Sequence, residues 1–367
     1  MALDIPAHRL HNQFLSHTPL TDPAQLVGRL GAVQSQDYAG AKWALGLRLT
    51  HATDAALDQA FNEGRILRTH ILRPTWHFVA PEDLRWMLQL SAPRVHVANA
   101  FMYRQLEVDK ASLRKIYEVL ERVLRDGKYS TRTELGSALE KAGIIAAGQR
   151  LAYFIMSAEL DGILCSGPRR GKQFTYALLE ERVPKARMWD REETLAELTR
   201  RYFVTRGPAT LHDFTWWSGL TMADAKKGID MVKSNFVQEV RNGNSYWFDS
   251  TRSPVREPSP TAHLLPNYDE YFIGFKDRSA IGRIARQAGI KADDPSLIAH
   301  IVILNGQIVG GWKRTVKKNA AVVELRLLTE LTKKQYAAVI QAAERYGEFM
   351  GVAVEIVRWS PTSISSL

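Results

Sequence analysis

The 367-residue chain contains a single cysteine, Cys165. One thiol forms no internal disulfide and supplies no CxxC zinc pair, which excludes a disulfide-stapled scaffold and a cysteine zinc finger. A buried structural role is the expectation for Cys165. No run of about 18 apolar residues occurs, so no membrane span is expected. The first residues, MALDIPAHRLHNQFL, lack a basic segment followed by an apolar one, and no signal peptide is read there. The expected compartment is therefore the cytoplasm. No histidine cluster has metal-ligand spacing, and no glycine loop follows the pattern GxxxxGK[ST], so neither a metal nor a nucleotide cofactor is expected.

What is present is positive charge. Lys and Arg number 49 against 39 Asp and Glu, giving a net charge of +10 and a pI near 9.6. That balance favours a polyanionic partner, of which DNA and RNA are the commonest. The length exceeds one ordinary core and implies roughly two to four domains.

One pattern recurs three times: three helices, then a short hairpin. The middle copy is the clearest. In LRKIYEVLERVLRDG, Leu113, Ile116, Tyr117, Leu120, Val123 and Leu124 recur at helical spacing. TRTELGSALEKAG opens with Thr131 and Glu134 spaced as a capping box and stops at Gly143. QRLAYFIMSAELDG gives the third helix, and ILCSGPRRGKQFTYALL reads as two strands around a basic turn. Three short helices closed by a basic hairpin make a winged helix, with the third helix expected in a groove and the hairpin along the backbone. In the third copy Thr210 with Asp213, and Thr221 with Asp224, mark helix starts, and Asn242-Gly243 marks a hairpin turn. In the first copy Thr21, Asp22 and Pro23 open a helix. ILRTHILRPTWHFVA is its hairpin, and a longer helix follows from Pro81.

From about Thr261 the pattern changes to strands, HIVILNGQIVGGW and AVVELRLL, then a helix from Thr332 to Gly347 and a last strand, VAVEIVRW. The stretch Ser253 to His263, with three prolines, is the linker. The expected organisation is α+β: three tandem winged-helix motifs over 1–108, 109–188 and 189–252, and a C-terminal β-barrel-like domain over 261–367.

The middle wing offers Arg169, Arg170 and Lys172 as phosphate contacts. WKRTVKKN offers Lys313, Arg314, Lys317 and Lys318 in a second basic hairpin. Within AVQSQDYAGAKWAL, Gln34 and Gln36 flank Ser35 where an amphipathic segment runs out. On a helix, residues two apart point about 200° from each other; on an extended segment they share a face. For the two amides to act together the chain must leave the helix near Val33. A polar helix end is the other reading of the spacing. Asp37 is a candidate to activate water or to cap the next helix. His77, sharing a strand face with Thr75, is a candidate for catalytic support or DNA contact. Asp269 and Glu270, in NYDEY, are open to an acid–base or a structural reading.

Three blocks together, VGRLGAVQSQDYAGAKWALGLRL, GRILRTHILRPTWHFVAPEDLRWML and HLLPNYDEYFIGFKDR, resemble the bacterial winged-helix DNA glycosylases of the AlkZ/YcaQ type. They occur in the family's order, and the resemblance spans nearly the whole chain. It implies three winged helices and a barrel-like domain around a basic concave surface. It also implies a catalytic pattern of glutamine, one residue, then glutamine or aspartate, onto which Gln34 and Gln36 fall. The intervening residue is usually apolar; here it is Ser35.

The implied activity is monofunctional excision of alkylated purines, with crosslink unhooking in some members. The implied partner is double-stranded DNA carrying alkylated bases or crosslinks, bound by a nucleoid-associated monomer. A purine alkylated at N7 or N3 is already cationic and leaves without prior protonation. Two neutral amides that orient water and face the developing sugar charge then suffice. The rival function is a non-enzymatic winged-helix transcriptional regulator, which would prefer one DNA sequence and tolerate loss of Gln34.

Overall fold

The computed structural model describes residues 3–183, 189–252, 254, 260–290, 300–317 and 319–358. Helix α1 (Ile5–Asn12) leads into a unit made of α2 (Pro23–Leu30), β1 (Val33–Gln34), α3 (Tyr38–Gly46), α4 (Asp54–Asn62), β2 (Leu67–Ile71) and β3 (Arg73–Val79). Its sheet has the order β1-β3-β2. After the long helix α5 (Pro81–Gln105) the same plan returns as α6 (Lys110–Leu124), β4 (Ser130–Thr131), α7 (Arg132–Lys141), α8 (Gly148–Leu160), β5 (Leu164–Ser166) and β6 (Thr175–Leu178), with sheet order β4-β6-β5. A short α9 (Leu179–Arg182) closes it. The third unit has α10 (Arg191–Arg206), α11 (Leu211–Ser218), α12 (Met222–Val232) and the hairpin β7 (Val237–Arg241) with β8 (Asn244–Phe248). There a single bridge, Ala209 to Trp247, takes the place of the short strand. Each unit is thus helix, short strand, helix, helix, hairpin. The short strand escapes the sequence pattern because one or two residues carry no periodicity.

The helix starts follow their caps. Capping boxes pair Thr131 with Glu134, Thr210 with Asp213 and Thr221 with Asp224. Each satisfies backbone N–H groups that the first turn leaves without partners.

The C-terminal part holds β9 (Ala262–Leu265), α13 (Glu270–Ile273), α14 (Arg283–Gln287), β10 (Ile301–Leu304), β11 (Gln307–Val316), β12 (Ala320–Leu327), α15 (Lys333–Met350) and β13 (Ala353–Arg358). Its five strands run β13-β12-β11-β10-β9. The last strand joins β12 in parallel after the α15 crossover, whereas the other pairs are antiparallel. This corrects the barrel-like expectation. β9 and β13 lie at opposite edges, and among the described residues they do not pair, so the sheet stays open. Of the linker, Ser253 and residues 255–259 lie outside the described residues.

The units are not beads on a string. One core packs α2, α3, α4 and Phe78 of the first unit against the C-terminal sheet and α15. A second packs Leu67, Ile71, Val79 and α5 against α10, α11 and α12. The first unit is therefore held between the third unit and the C-terminal sheet. Helix α8 is covered over its C-terminal half. From Phe154 to Leu160 every residue is buried, whereas Gly148 and Gln149 are exposed and Arg150, Ala152 and Tyr153 are half-buried. Its far end is tied to β2, where Glu159 meets the His70 imidazole, both buried.

Candidate active site

The glutamine segment exists because the first unit differs from its copies. In the other two units the short strand runs straight into the next helix: Thr131 pairs in β4 and caps α7, and Thr210 follows the Ala209 bridge and caps α11. In the first unit α2 stops at Leu30, and Gly31 turns the chain with φ of +79°, a conformation that favours glycine. Val33 pairs with Phe78 and Gln34 with His77. Ser35 continues the ladder, its N–H donating to the Trp76 carbonyl at 2.8 Å. The cap of α3 comes only at Asp37. Ser35 and Gln36 are thus inserted between the strand, which ends at Gln34, and the cap, and the two glutamines flank Ser35.

A buried ion pair fixes this segment. The Gln34 N–H donates to Glu270 Oε1 at 2.9 Å. Glu270 Oε2 accepts from Arg206 at 2.7 Å and from the Trp217 indole at 3.0 Å. Arg206 also donates to the carbonyls of Leu30 at 2.8 Å and Ala32 at 3.0 Å. Arg206 is 0% exposed and Glu270 1%. One guanidinium and one carboxylate therefore hold three backbone groups of the turn that delivers Gln34. Asp269 is consumed as well. It caps α13 through the Tyr271 N–H and pairs with buried Arg48 through both oxygens, each at 2.8 Å.

The two amides differ. Gln34 is 6% exposed, and its Oε1 accepts from an Arg73 guanidinium nitrogen at 2.7 Å. Gln36 is exposed, and its Oε1 accepts from the Trp76 N–H at 3.4 Å, standing in for the ladder carbonyl that the ending strand no longer supplies. Ser35 is fully buried; its carbonyl accepts from Arg68 Nε at 3.0 Å, and its hydroxyl has no partner among the described residues. His77 lies directly across from Gln34 and is fully buried. Its Nδ1 donates to the Thr75 carbonyl at 3.0 Å, leaving Nε2 an acceptor without a partner among the described residues. Burial, and secondarily the Arg73 charge, push its pKa well below the ordinary histidine value, so it is neutral. Asp37 caps α3 through the Gly40 N–H at 3.0 Å and pairs with Arg314 at 3.2 Å.

The basic residues named from sequence separate into two groups. Lys172, Lys313 and Lys317 are exposed. Arg169 pairs with Asp58 at 3.3 Å and lies over Tyr38, tying the middle wing back to the first unit. Arg170 pairs with Glu134 at 2.7 Å, and Arg314 with Asp37. Lys318 lies outside the described residues. Sequence reasoning missed Arg73 and Arg206. Arg73 sat within a quoted block without any spacing to mark it, and Arg206 lies 64 residues from its carboxylate partner. Among the described residues no cluster of three His, Cys, Asp or Glu could hold a metal ion, and no helix is long and apolar enough to cross a membrane.

A family model described as "DNA glycosylase AlkZ-like" matches residues 27–349. An interstrand DNA cross-link repair glycosylase of Streptomyces sahachiroi is 24% identical over 327 residues, covering 84% of this chain and 86% of its own length. The solved structure of Streptomyces sahachiroi DNA glycosylase AlkZ matches with a TM-score of 0.76 at 20% identity, covering 96% of this chain and 98% of that one.

Proposed function

Since this chain belongs to the AlkZ-like DNA glycosylase family and is a DNA glycosylase, we propose that it excises purines made cationic by alkylation at N7 or N3, with Gln34 and Gln36 at the scissile bond. The observation that carries the reading is the glutamine segment at the end of β1, held from behind by Glu270 and Arg206. A second line of support is the state of the acids around it. Asp269 and Glu270 are locked in buried ion pairs, and Asp37 is engaged by Arg314 and by its own helix. None of these three carboxyls is left free, among the described residues, to protonate a leaving base. A neutral purine needs that proton; a cationic one takes the electrons of the C1′–N9 bond and leaves uncharged.

In this reading water attacks C1′ as the bond breaks, giving an abasic sugar, the free alkylpurine and one proton released to solvent. A neutral amide is a poor base, so the glutamines work by orienting water and by dipoles aimed at the sugar. The three units act as winged-helix modules. Lys172, Lys313 and Lys317 meet phosphates, and the protein works as a monomer on chromosomal DNA in the cytoplasm. Crosslinks joined through N7 are further substrates, by analogy with the named repair activity of the Streptomyces relative. Family membership does not favour the regulator reading.

The test is a duplex with one N7-methylguanine, incubated with wild type, Gln34→Ala and Gln36→Ala, then treated with alkali. Wild type should cleave, and each variant should be slower by about a hundredfold. A duplex with a neutral lesion should be spared. Equal cleavage of neutral and cationic lesions would refute the leaving-group argument.

A further inference from the structure

Arg73 is placed at some conformational cost. The β2–β3 corner consists of one residue, Leu72, which is buried and has φ of +63°, a region that leucine rarely adopts. The register also slips at His70/Ile71, a bulge of the kind that re-aims side chains. Neighbouring elements hold the corner. The Leu72 N–H donates to Ser91 Oγ at 3.1 Å, and that hydroxyl donates to the Met87 carbonyl at 2.8 Å. The Leu72 carbonyl abuts Gly219, where there is no room for a Cβ. Backbone strain that the surroundings over-determine points to function.

The charge of Arg73 points the same way. It forms no ion pair among the described residues, and its Nε is buried without a partner. Glu270 is near but already paired with Arg206, and Arg206 and Arg278 both repel it. A half-buried cation so placed adds little to stability. What it does is hold Gln34. A guanidinium only donates, so its partner on the amide must be Oε1, and the NH2 is turned away from it.

Building on the glycosylase reading above, we propose that Arg73 is a positioning residue. It locks the Gln34 carbonyl inward, so that Gln34 offers its NH2 to an acceptor on the DNA. Gln36, the exposed and loosely held amide, supplies the oxygen that faces the sugar or its attacking water. The two glutamines then have opposite roles, donor and acceptor, set by how firmly each oxygen is held: Gln34 Oε1 by the Arg73 guanidinium at 2.7 Å, Gln36 Oε1 only by the Trp76 N–H at 3.4 Å.

The experiment measures single-turnover release of N7-methylguanine at saturating protein, together with DNA affinity and Tm, for wild type, Arg73→Met, Arg73→Lys and Gln34→Glu. Arg73→Met should keep or raise Tm, bind within about threefold of wild type and lose about tenfold in rate. Arg73→Lys, still a donor, should recover part of that loss. In Gln34→Glu the introduced carboxyl keeps the Arg73 contact but offers no donor. It should be slow at neutral pH and gain rate, above the spontaneous background, as acid protonates it. An undiminished rate in Arg73→Met, or a loss confined to affinity, overturns the proposal. So does a Gln34→Glu protein as fast as wild type at neutral pH, which would make Gln34 an acceptor. A wild type inert on every cationic lesion removes the glycosylase site itself, and that failure is visible before any variant is compared.

Discussion

Glu270→Gln is the sharpest perturbation of the site that leaves both glutamine side chains unaltered. Four N–H groups converge on the two Glu270 oxygens: the Gln34 backbone, two from Arg206, and the Trp217 indole. An amide has only one oxygen. Turned toward Arg206 and Trp217, it sets its NH2 against the Gln34 N–H, donor against donor. It also removes the countercharge of a guanidinium that is 0% exposed. Breaking one partner of a buried pair costs about 3–5 kcal/mol. Spread over 367 residues, at about 2 cal/mol/K of unfolding entropy per residue, that is a fall of about 5 °C in Tm. Removing Arg206 as well should not restore stability, because the Leu30 and Ala32 carbonyls then lose their donor, at about 1–3 kcal/mol each. The assay is a thermal melt at neutral pH beside single-turnover base release. Turnover should fall with the register of Gln34. A Tm within about 1 °C of wild type would show that the pair does not hold the segment, and the positioning argument would fail.

Ser35→Ala should raise stability by about 1 kcal/mol with turnover kept, since the buried hydroxyl has no partner among the described residues; a loss in a denaturation curve would mean that the hydroxyl is satisfied. Replacing Lys172, Lys313 and Lys317 by Ala should flatten the plot of log affinity against log salt by about one unit per lost phosphate contact. Arg169→Ala should instead lower Tm and leave that slope unchanged, because its charge is spent on Asp58. Burial pushes the His263 pKa down to about 3 and that of His300 to about 4. These rings stay neutral in the folded chain while the unfolded chain protonates near 6.5, so their contribution is full above pH 6.5 and is lost as pH falls toward 4. Tm should drop across that window. His263→Leu should flatten the drop, and an unchanged profile would refute the assignment.

Local order was written in local sequence. Capping boxes at Thr131, Thr210 and Thr221 start their helices where the spacing places them, and Asn242-Gly243 turns its hairpin. Even the need for Gln34 and Gln36 to leave the helix could be stated from strand and helix geometry alone. Each of these rests on residues a few positions apart, where the backbone itself carries the signal. The openness of the C-terminal sheet, the covered face of α8 and the sandwiching of the first unit had no such signal. They depend on which apolar faces meet, and a strand or helix pattern does not name its partner. The clamp behind the glutamines is the extreme case. Gln34 and Glu270 stand 236 residues apart, and Arg206 comes from a third element. Only packing brings them within hydrogen-bond reach, because a buried charge is stable only where the fold delivers its counterpart. The sequence by itself determined the elements and the two amides; the tertiary structure decided what stands behind each amide, because those partners come from distant elements.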